Sequence, residues 1–146
     1  MIVLDTDHLS ILEWQDSPAA LSLRARLART APGEIVTTVI SYEESIRGWM
    51  GFLAHARKVK EQIEGYRRLE RQLQLFCSTP LLAFGEHAAV EFQRLRRHHP
   101  RLGALDLKIA AVVLVNGATL LSRNLRDFGQ IADLDVQDWT ETEDNS

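Results

Sequence analysis

Short apolar runs separate longer amphipathic segments along the chain. Met1–Asp5, Ile35–Thr38 and Ala118–Leu121 are continuous apolar or β-branched stretches. A run without alternation that is too short for a helix is typical of a strand covered on both faces of a parallel sheet. Leu81–Ala83 and Leu134–Val136 are weaker runs of the same kind. The pattern therefore predicts five strands.

Helical segments lie between these strands and carry start and stop signals. A serine cap followed by a first-turn proline predicts a helix over Ala19–Arg29. Ser41 and Glu44 fit the capping-box pattern, which places Glu44 at the third helical position. Gly48 and Gly51 are expected to loosen that helix before a longer one begins. The remaining predicted helices are Phe52–Leu73, Glu86–Arg97 and, headed by Asp106, Leu107–Val115.

Strands that alternate with helices predict an α/β fold, a three-layer α/β/α sandwich around a parallel sheet. The chain has 146 residues, which is enough for one domain with its own core. We expect that domain to span residues 1–139 and the polar tail Thr140–Ser146 to fray. The one cysteine, Cys77, excludes an intramolecular disulfide, and its apolar neighbours predict that it is buried.

The net charge of −3 conceals an asymmetry along the chain. Six acids and no base lie between Asp133 and Ser146, so the rest of the chain has 17 basic and 14 acidic residues. A basic body permits a polyanionic partner. No signal peptide is visible, and the longest apolar stretch, Ile109–Leu121, is interrupted and too short to span a bilayer. We therefore expect a soluble cytoplasmic protein without membrane contact.

Four polar residues stand where predicted strands end or predicted helices begin. Asp5 closes the first strand and Asn124 follows the fourth, while Glu44 and Asp106 lie in the first turns of two helices. If the first strand is central, these side chains meet at the carboxyl edge of the sheet, where α/β proteins form their sites. Three carboxylates and an amide would form an oxygen-rich site suited to Mg²⁺ or Mn²⁺.

The chain resembles the PIN-domain nucleases, and within them the VapC-type toxins of toxin–antitoxin pairs. The resemblance rests on four stretches that occur in the family's order and spacing and together extend over nearly the whole chain. The closing segment also looks like the family's last strand. The four stretches are Val3–Leu9, Ser41–Gly48, Asp106–Ala111 and Leu121–Phe128, and the closing segment is Leu134–Trp139.

The resemblance implies a PIN-like sheet in the order 3-2-1-4-5 and metal-dependent cleavage of RNA by an endoribonuclease. Asp5, Glu44 and Asp106 match the family's acidic metal ligands, with Mg²⁺ or Mn²⁺ as the cofactor. The fourth position is often Asp in the family and is Asn124 here, so the nearby Asp127 is a candidate to compensate. Asp7 stands where Asn is frequent and is a candidate additional acid at the rim.

The same resemblance implies two protein partners and an RNA substrate. A cognate antitoxin would block the acidic cleft through an Arg or Lys inserted near Asp5 and Asp106, and a second copy of the chain would be the partner in a homodimer. Basic side chains would grip the RNA phosphates, which makes binding salt-sensitive. We select His8 and Arg123, nearest the acids, and Arg97, from the arginine-rich segment before Pro100, as candidate substrate contacts.

Two other functions compete with this interpretation. Asp5 and Asp7 also resemble the nucleophile and acid of an aspartyl-phosphate phosphatase of the haloacid-dehalogenase type, with Lys108 available to neutralise phosphate. Alternatively, the domain is a non-catalytic PIN-like module that binds RNA or protein, which the amide at Asn124 favours. Each acid alone also has a structural explanation as a helix cap or turn residue.

Overall fold

The computed structural model describes residues 1–13 and 17–142. Its five strands form one parallel sheet in the order β3-β2-β1-β4-β5, which confirms both the α/β prediction and the order that the resemblance implied. Within each parallel pair the strand ends share an edge, because Ile2 is in register with both Ile35 and Thr119. The strands are β1 (Ile2–Leu4), β2 (Ile35–Thr38), β3 (Leu81–Leu82), β4 (Thr119–Leu121) and β5 (Asp135–Gln137).

Helices cover both faces of this sheet. Val3 and Leu4, neighbours on β1, belong to two different apolar clusters because successive strand residues point to opposite faces. Leu120 and Leu121 on β4 divide in the same way. The sheet is therefore the middle of three layers, as predicted. The helices are α1 (Thr6–Glu13), α2 (Pro18–Ala28), α3 (Val39–His55), α4 (Val59–Ser78), α5 (Glu86–His98), α6 (Ala104–Val115) and α7 (Leu125–Phe128), with one 3-10 turn at Pro32–Glu34.

The third helix begins earlier than the capping-box pattern predicted. Thr38, not Ser41, is its cap, and the Thr38 hydroxyl accepts a hydrogen bond from the Ser41 amide at 3.0 Å. Glu44 therefore lies in the second turn of α3, and the prediction for its helical position was wrong. The helix also runs through Gly48 and Gly51 and ends at His55, so the predicted long helix is in fact two helices.

Two smaller expectations also change. Cys77 is exposed near the end of α4, so its apolar sequence neighbours did not predict its burial. The start of the predicted tail is packed, since Thr140 is buried and Ser22 Oγ donates to the Glu141 carbonyl at 2.7 Å. The remainder of that tail, residues 143–146, lies outside the described residues. In the described part of the chain, no helix is both long and apolar enough to cross a membrane.

Gly65 marks a close approach between α3 and α4. A Cβ atom there would lie 2.5 Å from Leu53 Cδ2 and 3.0 Å from Phe52 Cδ1. We expect Gly65→Ala to lower the free energy of unfolding by about 1 kcal/mol, because the leucine must shift and this offsets alanine's higher helix propensity. Gly51→Ala is the matched control, since nothing lies within 4 Å of that position. Urea unfolding should show that Gly51→Ala raises the free energy of unfolding by up to about 1 kcal/mol. Equal changes in the free energy of unfolding for Gly65→Ala and Gly51→Ala would contradict the close contact at Gly65.

Candidate active site

The carboxyl ends of β1 and β4 place two polar residues side by side. Leu4 is in register with Leu121, and the Asp5 amide donates to the Leu121 carbonyl at 2.9 Å. Asp5 and Ser122 therefore leave the sheet at the same level. Ser122 is fully buried and Asp5 is only 6% exposed, so the carboxylate lies at the base of the site rather than at its rim.

A continuous polar path joins Asp5 to Asp106. Ser122 Oγ donates to Asp5 Oδ2 at 2.7 Å and accepts from the Asn124 amide at 3.0 Å. Asn124 Nδ2 then lies 3.4 Å from Asp106 Oδ2. Asp106 is the third residue of α6, whose start faces the same sheet edge. Hydrogen bonds through Ser122 and Asn124 thus connect the two acids, although they are distant in the chain.

Asn124 acts as a hydrogen-bond donor between two carboxylates. Its Nδ2 lies 3.2 Å from Asp127 Oδ2 as well as near Asp106, while its Oδ1 accepts from the Asp127 amide at 3.4 Å and caps α7. An amide nitrogen cannot bind a cation, so in this arrangement the fourth position supplies a donor. Asp127 brings a further carboxylate beside Asp106, which makes it a structural candidate to replace the missing acid.

Burial and neighbouring acids raise the pKa values of Asp5 and Asp106. Burial, followed by the charge of Asp7, raises the pKa of Asp5 to about 7, although hydrogen bonds from Ser122 and from the Thr6 amide oppose the shift. Burial also raises the pKa of Asp106, and the charge of Glu44 adds to it. The charge of Glu44 on α3 is the smallest of the effects that raise the Asp5 pKa. Without a bound cation, the ionised forms of Asp5 and Asp106 are unfavourable, because each is partly or fully buried near other negative charges.

The donor set fits a hydrated divalent ion better than a fully enclosed one. Within residues 1–13 and 17–142, no three acidic, histidine or cysteine side chains are close enough to form a closed set of metal ligands. Mg²⁺, however, keeps several waters and is usually held by one or two carboxylates. Asp5 and Asp106 provide such oxygens, and the nearby Thr6 hydroxyl is buried without a partner among the described residues. The residues present therefore fit Mg²⁺ or Mn²⁺.

An open cleft continues from the acids. It has a volume of about 410 Å³ and is lined by Thr6 and Glu44 together with Trp49, Phe52 and Arg68. Glu44 thus borders both the acidic pocket and the cleft. A polymeric substrate bound across the acids would have space here for a neighbouring unit.

The three candidate substrate contacts have different outcomes. His8 is fully buried, so the prediction that it touches substrate was wrong. Its position on the inner face of α1, one turn from the sheet, explains the burial. Arg123 is exposed directly beside the site and its amide donates to Asp7 Oδ2 at 2.9 Å, while Arg97 is exposed in the last turn of α5. Both arginines remain predictions.

Sequence reasoning missed Ser122 as a member of the site. Its hydroxyl connects the Asp5 carboxylate with the Asn124 backbone. The available signal was its place immediately after β4, at the same edge as Asp5. A serine there has no distinctive chemistry in sequence, because only its neighbours show what it bonds.

Comparisons with known proteins identify the family of this chain. The family model described as PIN domain matches residues 2–134. Ribonuclease VapC1 of Haemophilus influenzae strain R2866 is 26% identical over 139 residues, which cover 94% of this chain and 97% of that protein.

Solved structures give the same result for the fold. A chain of VapBC-1 from nontypeable Haemophilus influenzae superposes with a TM-score of 0.74 at 25% identity, covering 97% of this chain and all of the other. A chain of FitAcB from Neisseria gonorrhoeae superposes with a TM-score of 0.70 at 26% identity, covering 95% of this chain and 98% of the other. With a family match that spans most of its length and a sheet of the same topology, this chain belongs to the PIN domain family.

Proposed function

We propose that this protein is a Mg²⁺- or Mn²⁺-dependent endoribonuclease and the toxin of a toxin–antitoxin pair. The observation that carries the proposal is the hydrogen-bonded path from Asp5 through Ser122 and Asn124 to Asp106, which connects acids that are distant in the chain. A relative similar along almost its whole length is named a ribonuclease, which supports RNA as the substrate class.

The residues of the pocket have distinct roles in the proposed reaction. A bound divalent ion would supply an activated water and stabilise charge on the scissile phosphate. Asp5 and Asp106 would hold the ion, directly or through water. Glu44, at the border with the cleft, would position the attacking water. Asn124 would hold a carboxylate or a phosphate oxygen by hydrogen bonds, and Arg123 would contact the RNA backbone.

The proposed partner is a small antitoxin. The VapBC-1 neighbour shares the name VapBC with a Mycobacterium tuberculosis neighbour described as a member of the VapBC family of toxin-antitoxin systems, and a third neighbour is described as a toxin-antitoxin complex from Klebsiella pneumoniae. Net negative charge in the pocket would attract a cationic side chain as it would a metal ion. We therefore expect the antitoxin to place an Arg or Lys near Asp5 and Asp106 and so exclude both the metal and the RNA.

The direct test is RNA cleavage mapped by primer extension, with Mg²⁺ and with EDTA. We expect cleavage with Mg²⁺, none in EDTA, and a loss of at least about 100-fold in Asp106→Asn, because even residues that only support metal ligands cost 10- to 100-fold. Asp133→Asn is the matched control. Asp133 is exposed with φ of 67°, a conformation that asparagine tolerates, so activity should be unchanged.

Each alternative predicts a different result in this assay. Cleavage that persists in EDTA would overturn metal dependence. RNA binding without cutting in saturating Mn²⁺ would favour the non-catalytic module. The phosphatase alternative predicts a covalent phosphate on Asp5, but Lys108, which it needs, lies over the Phe84 and Phe92 rings at 5.9 and 5.6 Å. Membership of the PIN family also argues against it.

A further inference from the structure

His8 is a buried polar side chain that the proposed reaction does not use. It is fully buried on α1, and both of its ring nitrogens have partners. The Trp139 amide lies 3.2 Å from Nε2, and Asp7 Oδ1 lies 2.8 Å from Nδ1. Its ring therefore connects the segment after β5 with an acid two residues from Asp5.

The partners of His8 determine which nitrogen carries the proton. A backbone N–H can only donate, so Nε2 must accept from Trp139. In a neutral imidazole the other nitrogen is then the donor. Nδ1–H therefore donates to Asp7 Oδ1. Asp138 Oδ1 also approaches Nε2, at 3.7 Å, but it already accepts from the Thr140 amide at 2.9 Å.

The second oxygen of Asp7 is held from the opposite side. Asp7 Oδ2 accepts from the Arg123 amide at 2.9 Å, and Ser122 Oγ lies 3.3 Å away. The carboxylate is thus fixed by one donor from α1 and one from the loop after β4. Its charge acts on both Asp5 and Asp106, so the orientation of Asp7 sets part of the field in the pocket.

The donor to His8 is itself fixed. Ser22 Oγ on α2, which donates to the Glu141 carbonyl, also lies 3.2 Å from the Trp139 carbonyl, and the Arg26 guanidinium lies 4.9 Å from the centre of the Trp139 ring. These contacts hold the Trp139 segment against α2, on the side of His8 away from Asp7.

We propose that His8 is a positioning residue which, by donating Nδ1–H to Asp7, holds that carboxylate towards the divalent-cation pocket. The inference rests on the proposed function, because it assigns His8 a role towards the metal that this function requires. Outer hydrogen-bond partners of this kind commonly change metal affinity or activity by 10- to 100-fold. Neither His8 nor Trp139 would contact the RNA.

Two substitutions distinguish the hydrogen bond that His8 donates to Asp7 from the packing of the imidazole ring. In His8→Asn, Nδ2 stands at the place of the imidazole Nδ1 and can still donate to Asp7. In His8→Gln, the terminal amide stands near the place of Nε2, so Oε1 can accept from Trp139 but the donor to Asp7 is lost. By isothermal titration calorimetry with Mn²⁺ and no RNA, we expect His8→Gln to bind about 10-fold more weakly and His8→Asn to stay within about threefold of wild type.

A double-mutant cycle tests whether His8 acts through Asp7. Asp7→Asn alone should weaken Mn²⁺ binding, and adding His8→Gln should weaken it no further. Equal losses in both His8 variants, together with equal falls in melting temperature, would show a packing role and overturn the proposal. If His8→Gln does not fold, the Mn²⁺ affinity of Asp7→Asn is the deciding measurement. An affinity equal to that of the wild type would overturn the proposal as well.

Cleavage measured in parallel distinguishes this inference from the proposed function. Suppose that the wild-type protein binds Mn²⁺ and cuts RNA, and that His8→Gln binds Mn²⁺ with the same affinity as the wild type. That result would overturn the proposed role of His8 and leave the proposed function standing. Wild-type protein that neither binds Mn²⁺ nor cuts RNA would overturn the proposed function, and the role of His8 with it.

Discussion

Asp5→Asn is expected to abolish RNA cleavage and, at the same time, to raise the melting temperature of the metal-free protein at pH 8. Both effects have one origin. The carboxylate is buried beside Asp7, which raises its pKa to about 7. An ionised Asp5 therefore costs stability in the folded state at pH 8, and a neutral amide removes that cost while it also removes a metal ligand.

The sign and size of the stability effect follow from proton linkage. The pKa of Asp5 is about 7 in the folded protein against 3.8 for an unperturbed aspartate. Between these values the folded state holds more protons than the unfolded one, so stability falls as pH rises through this window. The full shift corresponds to at most about 4 kcal/mol at pH 8. An asparagine would recover part of it, because its oxygen can still accept from the Thr6 amide.

Thermal unfolding in EDTA at pH 5 and pH 8 measures this effect. Wild-type protein should lose stability between the two pH values, and Asp5→Asn should lose less. Asp133→Asn, an exposed acid changed in the same way, should follow the wild type. A variant less stable than wild type at pH 8, or one that still cuts RNA, would contradict the interpretation of Asp5.

Mg²⁺ or Mn²⁺ should stabilise the wild-type protein, and more strongly at pH 8 than at pH 5.5. A carboxylate must be deprotonated to bind a cation, so metal binding competes with the proton on Asp5. With a pKa of about 7, the apparent affinity at pH 5.5 should fall by about 30-fold. At 100 times the dissociation constant, the ion adds about 2.7 kcal/mol, or several degrees in melting temperature.

Melting curves over a Mn²⁺ titration at the two pH values provide the measurement. Asp5→Asn is the informative control, because any binding that remains in it should depend much less on pH. Stabilisation of equal size at both pH values would show that Asp5 does not take part in holding the ion. No stabilisation at either pH would contradict the metal site itself.

The architecture could be predicted from sequence because its signals are local. Continuous apolar runs identified β1, β2 and β4, and a parallel sheet required helices on both faces. The start of α3 could not be predicted in the same way. Thr38 and Ser41 are both good caps three residues apart, and the choice depends on where β2 ends, which pairing with β1 and β3 decides.

The sequence placed Asp5, Asp106 and Asn124 near one another but did not predict the contacts among them. Asp5 and Asp106 follow from strand and helix ends, since parallel strands bring those ends to one edge. His8 illustrates what is missing from sequence. It looks like a surface residue beside two acids, but one helical turn places it against Trp139, 131 residues further along the chain. Long-range partners of this kind appear only when the chain is folded.

The two apolar layers close around the sheet without help from the acidic edge. Their buried members are aliphatic and aromatic residues from the strands and from helices on each face. Formation of the fold would therefore not require the ion that we propose, unlike in a zinc finger, which unfolds when its metal is removed. Removing that ion would leave a folded protein without nuclease activity, and adding it back would restore the activity.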